Sequence, residues 1–235
     1  LRHAERLATV GKLAAGVAHE LGTPLQVVSG YARLISEDHS AHCDARENAA
    51  VIQEQTERMA SIIRQLLDFA RRRRSEPART NLVELVEKAA RMLAPITEKA
   101  GVTLEQRIAE PEMNAEVDGE QIIQVLSNLL LNAVQAMPKG GTVTVELDAR
   151  RRELEGAERS FLRLAVHDVG VGMSPEVMEH VFEPFFTTKG VGGGTGLGLS
   201  VAYGIVADQG GLFEVDSQQG RGSTFAVWLP STGET

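Results

Sequence analysis

The sequence predicts an α+β fold that opens with a helical hairpin and continues as a domain of mixed helices and strands. Apolar residues recur every three or four positions through the first 74 residues, the spacing of helices with one buried face. Beyond residue 81, helical segments are interspersed with segments of alternating polarity. Eleven of the 23 glycines fall between residues 190 and 222, which indicates a site built largely from backbone.

The N-terminal 75 residues are predicted to be two antiparallel helices. The first apolar stripe comprises Leu7, Val10, Ala14, Val17, Leu21 and Val28, and the second comprises Val51, Ile52, Met59, Ile62, Ile63, Leu66 and Leu67. A two-helix hairpin leaves its apolar stripes without a second layer. The simplest way to cover them is a four-helix bundle with an identical chain, so we expect a homodimer.

A second domain is predicted from residue 76 to residue 235, following a charged linker at 71–80. Asn81 and Glu84 are expected to cap a helix that Gly101 ends. The remaining predicted elements are strands at 102–108, 142–147 and around 161–166, helices at 118–137, 175 onward and 197–209, and a hairpin of 212–215 with 223–229. This order predicts one helical layer on a mixed sheet.

Composition narrows the possible functions. The formal net charge of −8 argues against nonspecific binding to nucleic acid, and the single cysteine, Cys43, excludes a disulfide framework within the chain. The sequence contains no apolar run of about 20 residues, so we expect a soluble segment without membrane contact, located in the cytoplasm. Because residue 1 is leucine, we expect the chain to be part of a longer protein, with any sensor or membrane anchor upstream.

His19 and Glu20 are the candidate reactive groups of the first domain. His19 lies about 200° around the helix from the apolar stripe, on the side expected to face solvent. A neutral imidazole can act as a nucleophile while the adjacent carboxylate accepts its proton. An ordinary exposed pair of surface residues is the alternative. A zinc site of the HExxH type is excluded because Thr23 occupies the second histidine position.

Two glycine-containing segments are the candidate ligand site of the second domain. Asp168 ends a predicted strand and precedes Gly170 and Gly172, where a carboxylate can accept the amine of adenine. The sequence GGGTGLG, residues 192–198, precedes a helix whose free amides can hold phosphate. Ordinary turns are the alternative for each segment. Neither a Walker nor a Rossmann loop is present.

Asn128 and Asn132 lie one turn apart on the predicted helix before these loops. Both side chains therefore share a face of that helix. Their amide oxygens can serve as ligands of a magnesium ion that carries triphosphate. Hydrogen bonding within the fold is the alternative for either residue.

In combination, these segments resemble the catalytic core of a bacterial sensor histidine kinase. The segments 19–24 (HELGTP), 128–133 (NLLLNA) and 168–172 (DVGVG) are similar to the H, N and first G boxes. The segments 182–186 (FEPFF), 194–199 (GTGLGL) and 220–225 (GRGSTF) are similar to the F, second G and third G boxes. The six motifs follow the family order and are distributed over nearly the whole length of the chain.

The resemblance implies a dimerisation and histidine-phosphotransfer hairpin, followed by a Bergerat-type ATP-binding domain of the GHKL class. It implies that His19 is the phospho-acceptor, Glu20 its general base, and Asn132 with Asn128 the holder of magnesium. Asp168 would bind the adenine amine beside Gly170 and Gly172, and Ser223 or Thr224 would support the adenine pocket. The expected phosphate-binding residues are Lys189, Gly194, Thr195, Gly196, Leu197 and Gly198.

The implied activity is ATP-dependent autophosphorylation of His19, followed by transfer to an aspartate on a response-regulator receiver domain. Thr23 keeps the reverse, phosphatase reaction possible, although Gly22 departs from the arginine or asparagine common after the His-Glu pair. Two alternatives remain: another GHKL-type ATPase that forms no phosphohistidine, and a catalytically silent signalling scaffold.

Overall fold

The computed structural model describes residues 75–154, 156–189 and 195–231, and in the N-terminal region residues 21, 24–32, 35, 47–53, 55–56 and 59. The described residues belong to two compact units. The first takes in the described residues of the N-terminal region together with Lys189 and residues 195–197, and the second takes in the rest. In the first unit, residues 24–32 and 47–53 are helical, as the apolar spacing predicts.

The second unit is an α+β sandwich, which confirms the predicted fold class. Its strands are β1 (Ala78–Asn81), β2 (Val102–Ile108), β3 (Asn114–Val117), β4 (Gly141–Leu154), β5 (Ala157–Asp168), β6 (Leu212–Gln218) and β7 (Gly222–Pro230). Its helices are α1 (Leu82–Lys99), α2 (Gly119–Ala136), α3 (Pro175–His180) and α4 (Gly198–Asp208). Five strands form one mixed sheet in the order β2-β4-β5-β7-β6, with only the β2–β4 pair parallel.

The helices pack on one face of this sheet. The α2 residues predicted to point inward are all buried, namely Ile122, Val125, Leu126, Leu129 and Leu130. From the sheet, Leu164 and Val166 of β5 and Val227 and Leu229 of β7 join the same core. Residues alternate between faces along a strand, so the residues between these positions lie on the other, outer face.

Both long helices begin at capping side chains. The Asn81 side chain accepts a hydrogen bond from Val83 N, as the sequence predicts, and Asp118 accepts from the amides of Glu120 and Gln121. Gly101 adopts a φ of 65° just beyond α1, the left-handed conformation that commonly ends a helix.

The local structure differs from the sequence prediction at three places. The last three residues of the linker predicted at 71–80 belong to a strand, because β1 begins at Ala78 and pairs with β3 in a separate two-stranded sheet. Strand β3 has no counterpart among the predicted elements. Strands β4 and β5 are both longer than the strands predicted at 142–147 and around 161–166. Their pairing extends to Leu154–Ala157, past the last residues that β2 and β7 pair with. Among the described residues, none of the helices is long and apolar enough to cross a membrane.

Candidate active site

Asp168 is a buried carboxylate at the end of β5. Its side chain lies on the face of the sheet that the helices cover. The residue is 6% exposed, and Oδ1 accepts a hydrogen bond from Gly170 N at 2.9 Å. Burial raises the pKa of Asp168, against the opposing effects of backbone hydrogen bonds from Gly170 and Ser223 and of the nearby His167. A buried carboxylate with a raised pKa at a strand end is typical of a ligand site.

Ser223 is the hydroxyl on the same face of the sheet as Asp168. The two residues are paired in register between β7 and β5, and Ser223 is 7% exposed. Its Oγ lies 2.9 Å from Ser217 Oγ, which donates to Gly222 O at 3.0 Å. A serine has one hydroxyl proton, so Ser223 must be the donor in the serine pair.

Thr224 lies on the opposite face of the sheet. It pairs with His167 in register, and its Oγ1 is 2.8 Å from His167 Nδ1. Of the two hydroxyls that the sequence analysis left open, only Ser223 therefore shares the face of Asp168. The physical reason is the two-residue period of a strand, which turns successive side chains to opposite faces.

Gly170 and Gly172 bring three pieces of backbone together beside Asp168. A Cβ atom on Gly170 would overlap the Ala136 carbonyl at the end of α2, and one on Gly172 would overlap the Gln218 carbonyl of β6. Gly172 also has a φ of 62°. The loop is further held by the hydrogen bond from Val171 N to Ala136 O at 3.0 Å. These glycines are required by contacts within the protein, in addition to any contact with a ligand.

Asn128 and Asn132 are half-buried on the same face of α2, as predicted. The Nδ2 of Asn128 donates to the carbonyl of Gly198 at 2.9 Å and so ties α2 to the first residue of α4. This bond fixes which end of the amide is the NH₂ group and leaves Oδ1 as the atom suited to a hard cation. The two amide oxygens therefore fit magnesium, and Asn128 also makes the hydrogen bond within the fold that was the alternative interpretation of the sequence.

The loop of the first unit holds several of the predicted phosphate-binding residues. Lys189 is half-buried, and burial lowers its pKa. Gly196 has a φ of 66°, and Leu197 N donates to Thr195 Oγ1 over a long 3.5 Å. Gly198 opens α4 in the second unit, in agreement with the predicted helix after a glycine loop.

Four predicted site residues lie outside the described residues. These are His19, Glu20, Thr23 and Gly194. Their roles stay predictions from the sequence and its resemblance.

Two polar residues near the site were missed by the sequence analysis. Ser217 accepts a hydrogen bond from Met173 N at 2.9 Å, so it joins the loop after Asp168 to β6 and β7. His167 contacts Thr224 behind the site. No local spacing links either residue to the loop or strand that it contacts, because Met173 lies 44 positions from Ser217 and Thr224 lies 57 positions from His167.

Two family models match this chain, one for each part of the predicted architecture. The His Kinase A (phospho-acceptor) domain matches residues 9–75. The Histidine kinase-, DNA gyrase B-, and HSP90-like ATPase matches residues 117–233, which include Asn128, Asp168 and Ser223. The chain belongs to the sensor histidine kinases, a family of ATP-dependent histidine kinases. Its second unit is thus an ATPase domain of this class, which implies ATP binding.

Curated sensor kinases align over almost the whole chain. The sensor kinase CckA of Brucella abortus is 34% identical over 98% of this chain and 25% of its own length. The sensor histidine kinase ZraS of Salmonella typhi is 32% identical over 98% of this chain and 48% of its own length. The chain thus spans half or less of the length of these two relatives.

Solved histidine kinase structures share the fold. Histidine kinase ThkA, solved in complex with the response regulator TrrA, superposes with a TM-score of 0.78 at 23% identity, covering 97% of this chain and 64% of that one. Full-length ShkA in complex with AMPPNP superposes with a TM-score of 0.66 at 26% identity, covering 98% of this chain and 47% of that one.

Proposed function

We propose that this sensor histidine kinase core transfers the γ-phosphoryl group of ATP to His19 and then to an aspartate of a response-regulator receiver domain. One observation carries the nucleotide half of the proposal: a buried carboxylate, Asp168, ends β5 beside two glycines that contact neighbouring backbone. The phospho-acceptor half is supported by the position of His19 within residues 9–75, which match the phospho-acceptor family.

In the proposed nucleotide site, Asp168 accepts the exocyclic amine of adenine, with Ser223 beside it. Its ionised form is the better acceptor, so adenine binding offsets part of the unfavourable burial of this carboxylate. Lys189 and the amides of the loop that ends at Gly198 are proposed to hold the phosphates. The lowered pKa of Lys189 fits this role, since a triphosphate stabilises the charged ammonium.

Asn132 and Asn128 are the proposed magnesium ligands. The ion would neutralise charge on the phosphate oxygens. The protein's contribution is to orient the two amide oxygens, and the bond from Asn128 to Gly198 does this for one of them.

In the proposed reaction, a ring nitrogen of His19 forms a bond to the γ-phosphorus, and the bond to the oxygen bridging to the β-phosphate breaks. ADP leaves with the electron pair of that bond. Glu20 accepts the proton from the other ring nitrogen, which keeps the imidazole nucleophilic as the new bond forms. Most of the acceleration comes from alignment and charge neutralisation, since phosphoryl transfer needs little covalent help from the protein.

The proposal extends to organisation and partners. We place the boundary between the hairpin and the ATP-binding domain at residues 75 and 76, and we propose a homodimer through the hairpin. ThkA, which shares this fold, was solved with a response regulator, which supports a receiver partner here. ATP as phosphoryl donor supports action in the cytoplasm. Thr23 is the residue proposed for any phosphatase reaction.

Labelling with γ-³²P-ATP and magnesium tests the proposal. Wild-type protein should acquire a label that acid removes and base preserves, as expected for a phosphohistidine. His19→Gln should abolish the label while ATP binding persists, because the nucleotide site is on the other domain. His39→Gln is the matched control, a histidine of the same region that the motif does not include.

The outcomes separate the alternatives. Multiple-turnover ATP hydrolysis without any label would identify another GHKL-type ATPase. Bound ATP with neither label nor hydrolysis would identify a silent scaffold. Full labelling of His19→Gln would refute the assignment of the acceptor residue.

A further inference from the structure

Four polar side chains meet where the chain enters the second unit. Gln209, the residue after α4, donates from Nε2 to Ser75 Oγ at 2.9 Å and to Gln121 Oε1 at 3.0 Å. Its Oε1 accepts from Asp118 N at 3.2 Å. The carboxylate of Asp118 in turn accepts from Glu76 N at 3.3 Å. We call the group Ser75, Asp118, Gln121 and Gln209 the linker clamp.

The geometry of the linker clamp determines the orientation of the Gln209 amide. A primary amide has two N–H donors and one carbonyl oxygen, and all three are used here. The reversed orientation would point the NH₂ group at the Asp118 N–H, which is itself a donor. The side chain of Asp118 is also held in place by hydrogen bonds. Its Oδ1 caps α2 by accepting from Glu120 N at 3.1 Å and from Gln121 N at 3.2 Å.

The linker clamp joins the incoming chain to two helices that are important for the proposed site. Helix α2 carries Asn128 and Asn132, and α4 follows the glycine loop. The helices pack against each other and are already tied at Asn128 and Gly198. Ser75 is the last residue that the phospho-acceptor model matches. The contact therefore falls at the junction between the two parts of the chain.

We propose that Gln209 is a positioning residue for phosphoryl transfer, acting through Ser75 to anchor the junction on α2 and α4. This inference rests on the proposed function. Without the anchor, residues 75–77 would add to the length of chain between His19 and the fixed part of the nucleotide-binding domain. A longer tether lowers the effective concentration of one group at the other and weakens their alignment. The anchor contains none of the proposed nucleotide-binding residues, so ATP binding should not depend on it.

The test uses the whole chain and separates binding from transfer. Gln209→Leu removes all three side-chain hydrogen bonds of the amide, and Ser75→Ala removes only the anchor. Each should slow single-turnover labelling at saturating ATP about fivefold, with the ATP Kd unchanged within about twofold. The double variant should be no slower than Gln209→Leu, because both changes break the same link.

Two controls accompany these variants. Ser75→Thr keeps a hydroxyl and should retain the wild-type rate. Gln106→Leu makes the same substitution at an exposed position of β2 and should also leave the rate unchanged. A fall in ATP affinity parallel to the fall in rate would overturn the proposal, as would wild-type labelling in both Gln209→Leu and Ser75→Ala.

Hydrogen exchange tests the anchor without any kinase activity. Glu76 N donates to Asp118, so its exchange should be slow in the wild type and faster in Gln209→Leu and in Ser75→Ala. Equal exchange in all three proteins would overturn the proposed anchor. A wild type that never labels would refute the proposed function and, with it, the positioning role, while the exchange result would still report on the anchor itself. Ser75→Ala keeps the test valid if Gln209→Leu does not fold.

Discussion

The two faces of the sheet differ sharply where β5 and β7 lie side by side. On the face covered by helices, Asp168 and Ser223 are almost completely buried; Asp168 accepts from the backbone of the following loop, and Ser223 contacts the Ser217 hydroxyl of β6. On the outer face, the neighbouring residue His167 keeps 30% of its side chain exposed. Its Nε2 lies 3.0 Å from Glu146 Oε2, and Arg163 approaches the same carboxylate at 3.3 Å.

The two carboxylates respond in opposite ways to these surroundings. Burial dominates at Asp168 and raises its pKa. Burial acts in the same direction at Glu146, but the neighbouring His167 and Arg163 outweigh it and lower the pKa of this group. Among the described residues, the sheet thus has a buried carboxylate without a basic partner on the face covered by helices, and a carboxylate paired with His167 and Arg163 on the other face.

The largest expected effect is at Asp168. Asp168→Ala should weaken ATP binding about a hundredfold, because it removes a charged hydrogen-bond acceptor from a buried site. Asp148→Ala is the matched control, since Asp148 is a carboxylate of the outer face and should leave the affinity unchanged. Titration with a fluorescent ATP analogue measures both. Equal losses in the two variants would remove the distinction between the faces.

The adjacent hydroxyls of β7 give a second comparison. Ser223→Ala should weaken ATP binding about tenfold, whereas Thr224→Val should leave it unchanged, because only Ser223 lies on the face of Asp168. Calorimetric titration with ATP distinguishes the two. A larger effect of Thr224→Val would place the adenine pocket elsewhere.

Asp168→Asn should raise stability while it weakens binding. The folded pKa of Asp168 is raised, so the stability contributed by its protonated form is complete below the ordinary value of 3.8 and is lost as pH rises through the folded pKa. Asparagine keeps an acceptor for Gly170 N without the buried charge. We expect the thermal midpoint at pH 8 to rise by about 3 °C, with the gain shrinking on acidification. A gain independent of pH would contradict this origin.

The smallest expected effect is at Glu146. Its folded pKa is lowered, so the stability that it contributes is present above the ordinary value of 4.5 and is lost as pH falls through the folded pKa. Glu146→Gln should reduce the free energy of unfolding by less than about 1 kcal/mol at pH 7, with the difference disappearing near pH 3. Urea unfolding followed by the single tryptophan, Trp228, measures this. A change in ATP affinity would show that the outer face also serves the site.

The helices of the second unit were predictable because their signals are local. Five apolar residues of α2, from Ile122 to Leu130, recur at helical spacing, and all are buried. The cap at Asn81 and the glycine at 101 mark the ends of α1. Helix caps and helical spacing act on residues within one or two turns, so they can be recognised without knowledge of the tertiary contacts.

The errors have a physical cause in common. Strands β1 and β3 contain four residues each, too few for an alternating pattern to emerge, and each is specified by pairing with the other. The end of the β4–β5 hairpin is rich in arginine and glutamate and has no flanking strand from β2 or β7. Because neither face of this part of the hairpin is buried, its sequence does not alternate between apolar and polar residues, and the strands could not be predicted there.

The sequence by itself determined the family, the fold class and most candidate site residues, because the motifs stand in a fixed order and helical spacing is a local property. Only the tertiary structure decided that Ser223, rather than Thr224, accompanies Asp168, and that Asn128 binds the Gly198 carbonyl. It alone revealed the linker clamp, whose hydrogen bonds join residues 42 to 134 positions apart. Partners at such separations are chosen by the packing of whole elements, which no local pattern records.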